Sequence, residues 1–157
     1  YLKSPHDSIL DHLILEELRK GGITKFMHKL GTGYTGYFNK KYKRVGGLFQ
    51  GTFKAKLVED DLYLQYLLVY INVINPGQLV QYGLEEYGAK NVKTIMDFAA
   101  DFLWSTHKEY LGTRESIIID KGVLGTFFPD GNSYREFVCA VLPQQNKFEE
   151  ISHLFLE

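Results

Sequence analysis

The distribution of charge divides this chain into two unlike parts. Residues 18–58 contain no Asp or Glu, whereas they contain ten Lys or Arg. The rest of the chain carries 8 basic residues against 19 acidic ones, a balance of −11, so the net charge of −1 is an average of opposites. Because charged side chains are rarely buried, the basic segment must keep a cationic face in solvent. A polyanion would be drawn to that face and repelled by the remainder.

Aromatic residues are interleaved with the cations between residues 36 and 56. The basic members are Lys40, Lys41, Lys43, Arg44, Lys54 and Lys56, and the aromatic members are Tyr37, Phe38, Tyr42, Phe49 and Phe53. Cations neutralise phosphates, and exposed aromatic rings stack on unpaired bases. The mixture indicates a groove for a nucleic-acid backbone. A solvated charged face, or a face for an acidic protein partner, remains an alternative with the same charge pattern.

Length and composition favour a globular protein. The 157 residues are 45% hydrophobic and 24% charged, which is enough for a buried core. The single Cys139 excludes an internal disulfide and a multi-cysteine metal site. The longest apolar runs are far shorter than a membrane span, and no signal peptide is recognisable, so we expect no membrane partner and a cytoplasmic protein. We expect two regions, residues 1–80 and a mostly helical extension over residues 81–157.

Hydrophobic periodicity predicts a helix-rich α+β fold. Three- and four-residue spacing predicts a helix over residues 23–42, whose aromatic residues mainly build a core. Alternation over residues 52–58 predicts a half-buried strand with a basic outer face, and residues 12–18 and 115–120 are further candidate strands. Helices are expected after Asp60 or Asp61, from Asn91 to residue 104, after a capping box at residues 133–136, and at the C-terminus.

One long stretch resembles a known family. The sequence reads GGITKFMHKLGTGYTGYFNKKYKRVGGLFQGTFKAKLVEDDLYLQYLLVYI and resembles the single-tyrosine HUH transposases of the insertion-sequence and REP-associated kind. The similarity covers roughly residues 12–138, and much of the family's usual N-terminal part has no counterpart. The resemblance implies a small antiparallel sheet of the HUH, ferredoxin-like type with a C-terminal helical extension. It also implies a homodimer that acts on single-stranded or hairpin DNA in a prokaryotic cytoplasm, associated with the nucleoid.

The resemblance assigns a nucleophile and a set of DNA contacts. In this family a tyrosine attacks a phosphodiester, becomes linked to the 5′-phosphate and frees a 3′-hydroxyl. The counterpart is Tyr70 in YINVINP, where Tyr70 and Asn75 stand one residue further apart than in the family's motif. The expected DNA contacts are Lys40, Lys41, Lys43, Arg44, Gln50, Lys54 and Lys56. Spacing alone favours a different interpretation, in which Tyr63, Tyr66 and Tyr70 share one helix face and are packing residues.

The metal site implied by the resemblance is incomplete. Family members hold a divalent cation, Mg²⁺ or Mn²⁺, with a His-hydrophobic-His pair. His12 matches the second histidine, but Leu10 occupies the position of the first. A one-histidine site would bind a cation weakly and polarise the phosphate poorly. The chain is therefore either a strand transferase, a non-catalytic DNA-binding remnant of the family, or a protein-interaction module with a basic face.

Overall fold

The computed structural model describes residues 12–49 and 51–144, and within these ranges the regular structure is helical. In chain order the helices are α1 (Gly22–Tyr42), α2 (Asp61–Val69), a π-turn (Tyr70–Ile74), α3 (Asn75–Gly77), α4 (Leu84–Tyr87), α5 (Val92–Asp101), α6 (His107–Tyr110), α7 (Gly122–Phe127) and α8 (Gly131–Val141). The chain forms two compact units. One contains His12 and residues 57–144, and the other contains residues 13–49 and 51–56.

The predicted antiparallel sheet is wrong, because no residue in the described ranges forms a strand. Phe53, Ala55 and Leu57 alternate as in a half-buried strand, yet all three are exposed. Residues 12–18 are irregular, and residues 115–120 are interrupted by a turn at Ile117 and Ile118, which are 105% and 83% exposed. A strand needs a partner for its backbone N–H and C=O groups, and alternation in one segment does not supply that partner.

The core of the helical unit is built around α2 and the π-turn. Asp60 begins α2, since its side chain accepts a hydrogen bond from the Tyr63 N–H at 2.6 Å. Apolar side chains from α2, the π-turn, α4, α5, α6, α7 and α8 meet in one cluster. Its members are Leu68, Val69, Val73, Ile74, Leu84, Ile95, Ala99, Tyr110, Leu124, Phe128, Tyr134, Val138, Val141 and Leu142. Burial of this apolar area supplies most of the stability of the unit.

The π-turn continues the axis of α2 with one additional residue. The Asn75 N–H donates to the Tyr70 carbonyl, five residues earlier, in place of the four-residue step of an α-helix. The hydrogen bond that defines the π-turn thus spans the segment from Tyr70 to Asn75. The helical path ends at Gly77, close to the stop predicted from Asn-Pro-Gly.

Two further helix starts show how local capping chemistry fixes boundaries. The Asn91 side chain accepts from the Thr94 N–H at 3.1 Å, which confirms the predicted start of α5. Helix α8 begins at Gly131, earlier than predicted, because the capping box is formed by Asp130 and Ser133 rather than by residues 133–136. Ser133 is the last member of the box and not the first.

In the second unit, α1 confirms the predicted helix over residues 23–42. None of its residues is buried, so the prediction that its aromatic side chains build a core is wrong. Apolar residues on α1 remain about half exposed, as with Phe26 at 46% and Leu30 at 45%. The aromatic side chains of this helix are therefore available to a ligand.

Across the described residues, we find no helix that combines the length and the apolar character required to cross a bilayer. The predicted division of the chain near residue 80 stays a prediction. The amphipathic helix predicted at the C-terminus lies outside the described residues, as do Leu10 and Gln50.

Candidate nucleic-acid interface and tyrosine site

Four of the predicted DNA contacts lie together at the C-terminal end of α1. Lys40 and Lys41 occupy its last turn, and Lys43 and Arg44 follow directly. All four are exposed, and within the described ranges none of them forms an ion pair with a carboxylate. Cations at this end of a helix are also favoured by the helix dipole. The cluster thus forms a local positive surface that has no acidic counter-charge in residues 18–58.

Five aromatic rings form a continuous cluster beside these cations, which we call the aromatic ladder. Its members are Tyr34, Tyr37, Phe38, Tyr42 and Phe49. Ring centroids are separated by 6.2 Å for Phe49 and Tyr34, 6.1 Å for Tyr34 and Phe38, and 4.4 Å for Phe38 and Tyr42. Tyr34, Tyr37, Tyr42 and Phe49 are between 48% and 59% exposed. Rings that support one another and still face solvent offer surfaces on which planar groups can stack.

Two of the four cations lie against these rings. The Lys41 Nζ lies 5.6 Å from the Tyr37 ring centroid and 5.4 Å from that of Tyr42. The Arg44 guanidinium lies 5.6 Å from the centroid of Phe38. Each such contact stabilises its arrangement by about 0.5–1 kcal/mol at an exposed site. Positive charge is therefore positioned within one side-chain length of the stacking surfaces.

Backbone geometry at the end of α1 produces this arrangement. Lys43 adopts a left-handed conformation with φ 52°, which ends the helix although the residue is not Gly. The Asn39 side chain then donates to the Gly46 carbonyl at 2.9 Å and fixes the reversal of the chain. Phe49 returns to α1 and packs on Gly31, where a Cβ atom would lie 3.9 Å from the Phe49 ring.

The remaining predicted contacts are placed differently. Lys54 and Lys56 are exposed and lie in an irregular segment, in the same unit as α1. Gln50 lies outside the described residues. The described structure thus brings together Lys40, Lys41, Lys43 and Arg44, and the ladder supplies ring surfaces whose mutual packing the sequence did not indicate.

Tyr70, the predicted nucleophile, stands in the helical unit as the first residue of the π-turn. It is half-buried, and its phenol donates a hydrogen bond to Oε2 of Glu85 at 3.5 Å. Burial, the charge of Glu85 and this hydrogen bond together raise the pKa of Tyr70 to about 12. The phenol is therefore protonated near neutral pH and requires a proton acceptor before it can act as a nucleophile. Glu85 was not predicted, because a contact over 15 residues leaves no local pattern.

His12, the predicted metal ligand, belongs to the same unit as Tyr70 and is half-buried. Within the described part of the chain, no group of three or more His, Cys, Asp or Glu side chains is arranged to hold a metal ion. A divalent cation needs several oxygen or nitrogen ligands. The described residues therefore do not fit the Mg²⁺ or Mn²⁺ site that the resemblance implies.

A buried polar cluster between the π-turn and α6 was not predicted from the sequence. Oδ1 of Asn72 accepts from the Thr106 N–H at 3.1 Å and from its hydroxyl at 3.0 Å. Nδ1 of His107 lies 3.0 Å from the Tyr134 hydroxyl. Burial, together with the charge of Arg135, lowers the pKa of His107 to about 4. The ring is thus neutral at physiological pH, and the cluster anchors α6 and α8 rather than forming an open site.

Comparison of the chain with protein-family models, with curated proteins and with solved structures found no match.

Proposed function

We propose that this protein is a transposase-related DNA-binding protein that binds single-stranded or hairpin DNA through the basic–aromatic face. That face consists of the aromatic ladder with Lys40, Lys41, Lys43 and Arg44. The observation that carries the proposal is the packing of Lys41 and Arg44 against rings of the aromatic ladder, on a segment that contains no acidic residue. With this function, the protein would act as a homodimer in a prokaryotic cytoplasm, associated with the nucleoid.

The two components of the face serve different parts of a polynucleotide. Lysine and arginine neutralise phosphates whatever the base sequence, and this supplies most of the affinity. Stacking of an unpaired base on an aromatic ring adds about 1–3 kcal/mol per base. Bases inside a duplex are already stacked on one another and offer no free face to Tyr37 or Tyr42. The aromatic ladder therefore favours unpaired over paired DNA, whereas the cations alone would not.

Charge reversal tests the proposal. In the Lys40→Glu/Lys41→Glu variant we expect most of the affinity for a fluorescent single-stranded oligonucleotide to be lost, as measured by anisotropy. The matched control is Lys90→Glu/Lys93→Glu, which reverses the same number of exposed charges in the helical unit. Retained binding in the first variant, or an equal loss in both, would contradict a DNA-binding role for the face. Tight binding of an acidic protein but not of DNA would favour an interaction module instead.

A second candidate function is strand transfer through Tyr70. It is supported by the π-turn that begins at this residue, since such turns are frequent at functional sites, and by the carboxylate beside its phenol. The phenol oxygen would attack phosphorus, the bond from phosphorus to the 3′-oxygen would break, and a 5′-phosphotyrosine and a free 3′-hydroxyl would result. Because the described residues do not fit a divalent cation, no step is assigned to one.

A covalent adduct is the diagnostic product of strand transfer. Labelled single-stranded DNA is incubated with the protein, with and without Mg²⁺ or Mn²⁺, and resolved under denaturing conditions. We expect an adduct that is lost in Tyr70→Phe and retained in Tyr66→Phe. Tyr66 lies in α2, four residues before Tyr70, and its ring packs on Phe137 of α8. If the wild-type protein binds DNA but forms no adduct in either condition, strand transfer is wrong and the non-catalytic DNA-binding function remains.

A further inference from the structure

We propose that Glu85 is the general base that removes the phenolic proton of Tyr70 during strand transfer, an inference that rests on the second candidate function. Oε2 of Glu85 is 3.5 Å from the Tyr70 hydroxyl, which donates to it. This distance is longer than the roughly 2.5–3.0 Å of a fully formed O–H···O bond. Catalytic hydrogen bonds are often long before the substrate is bound and tighten in the reacting complex.

The fold selects Glu85 over its acidic neighbour. Leu84 is buried, and it packs so closely on Gly77 that a Cβ atom there would lie 2.6 Å from the Leu84 side chain. This contact holds the start of α4 against α3, which follows the π-turn directly. Glu85, the next residue, is half-buried and reaches Tyr70, whereas Glu86 is exposed. Two carboxylates that look equivalent in the sequence are thus distinguished by the packing of one leucine.

The chemistry requires such an acceptor. With a pKa of about 12, the Tyr70 phenol is ionised in only about one molecule in 10⁵ near pH 7. In the proposed step the proton passes to the Glu85 carboxylate while the phenol oxygen forms its bond to phosphorus. The bond to the 3′-oxygen breaks, and that oxygen takes a proton from water. In the reverse reaction, protonated Glu85 returns its proton to the phenol as the phosphotyrosine is resolved.

The rate of adduct formation in a single turnover tests this role, with DNA affinity measured separately by anisotropy. We expect Glu85→Gln to reduce the rate by about 10²–10⁴-fold without changing the affinity. Glu85→Asp should retain part of the rate, because it keeps the carboxylate. Glu86→Gln is the matched control, since it removes one neighbouring carboxylate, and it should react like the wild type.

Two additional measurements separate a base from a merely structural residue. The defect of Glu85→Gln should shrink as the pH is raised toward about 10, because hydroxide replaces the missing base and the phenol ionises more readily without the nearby carboxylate. The rate defect should persist on a substrate that carries sulfur in place of the 3′-oxygen. The sulfur leaves without taking a proton from an acid, so a defect on this substrate reports the base. A defect that is constant with pH, or that disappears on the sulfur substrate, would contradict the proposed role.

Failure of this inference is distinguishable from failure of strand transfer. If the wild type and Glu85→Gln form the adduct at the same rate, Glu85 is not the base and strand transfer stands. If neither forms an adduct although both bind DNA, strand transfer is wrong and the role of Glu85 falls with it.

Discussion

His107 illustrates, at the scale of a residue, what burial does to an ionisable group in this protein. The side chain is fully buried, and its Nδ1 is paired with the Tyr134 hydroxyl at 3.0 Å. Its Nε2 has no hydrogen-bond partner within the described residues. Protonation would place a charge in an apolar core that also faces the positive Arg135. The neutral ring is therefore the form that the folded protein holds.

We predict that acid destabilises the protein through His107. The pKa of His107 is about 4 in the folded chain and about 6.5 when unfolded, so the unfolded chain binds the extra proton between these values. Stability from this group is complete above about pH 6.5 and falls as the pH falls through the window. Denaturant unfolding should show a loss of about 2–3 kcal/mol from about pH 7.5 to 4.5.

The comparison variant for this prediction is His107→Gln, which cannot titrate. It should be less stable than the wild type at neutral pH and show a much smaller loss between the two pH values. An equal loss in both proteins would assign the acid sensitivity to carboxylates instead, and His107 would be irrelevant to it.

Residue-level features were predictable where they are local. Asn91 was predicted as a cap, and Asp60 was one of two candidates together with Asp61. In the structure Asp60 and Asn91 each accept a hydrogen bond from the backbone N–H three residues later, which is a local contact. The contacts of Glu85 with Tyr70 and of Tyr134 with His107 span 15 and 27 residues. Their formation depends on how α4 and α8 pack, and no spacing rule reports that packing.

At the scale of elements, the helices of the chain were predicted better than their surroundings. The limits of α1 follow from its periodicity and from its last turn, both of which are local. What the periodicity could not supply was a partner for the apolar face. The same three- and four-residue spacing of apolar residues occurs on a helix face that is buried in a core and on one that stays exposed to bind a ligand. The same ambiguity led to the strand prediction for residues 52–58.

Two glycines should respond in opposite ways to substitution by alanine. A Cβ atom on Gly131 would lie 2.2 Å from the Leu111 carbonyl oxygen, so Gly131→Ala forces backbone to move and should cost about 1–3 kcal/mol in urea unfolding. A Cβ atom on Gly33 in α1 would meet nothing within 4 Å, and Gly33→Ala should stabilise that helix by about 0.5–1 kcal/mol. If Gly131→Ala leaves the free energy of unfolding unchanged, α8 does not begin against Leu111.

The aromatic ladder should control the preference for unpaired DNA. We predict that Tyr37→Leu and Tyr42→Leu each weaken single-strand binding by about tenfold, because each removes a stacking surface worth about 1–3 kcal/mol. Affinity for a blunt duplex should change little. Tyr82→Leu is the control, since Tyr82 is 96% exposed in the helical unit. Equal losses for single strand and duplex would contradict a stacking role.

At the scale of the whole molecule, charge was the property that the sequence predicted most directly. Residues 13–56 hold ten Lys or Arg and two Glu, whereas residues 57–144 hold six basic and twelve acidic residues. The two units thus carry opposite net charge, as composition alone requires. The sheet was predicted wrongly, because the expectation came from the resemblance and from local alternation, and neither of these shows whether distant segments pair.

The salt dependence of single-strand binding tests the proposed electrostatic face most directly. If Lys40, Lys41, Lys43 and Arg44 neutralise phosphates, with Lys54 and Lys56 adding to them, the logarithm of the association constant should fall with the logarithm of salt concentration. The expected slope is about −3 to −4, from about −0.7 per neutralised phosphate. Lys40→Glu/Lys41→Glu should flatten it by at least about 1, and Lys90→Glu/Lys93→Glu should not. A slope near zero, or one that both variants leave unchanged, would contradict binding through this face.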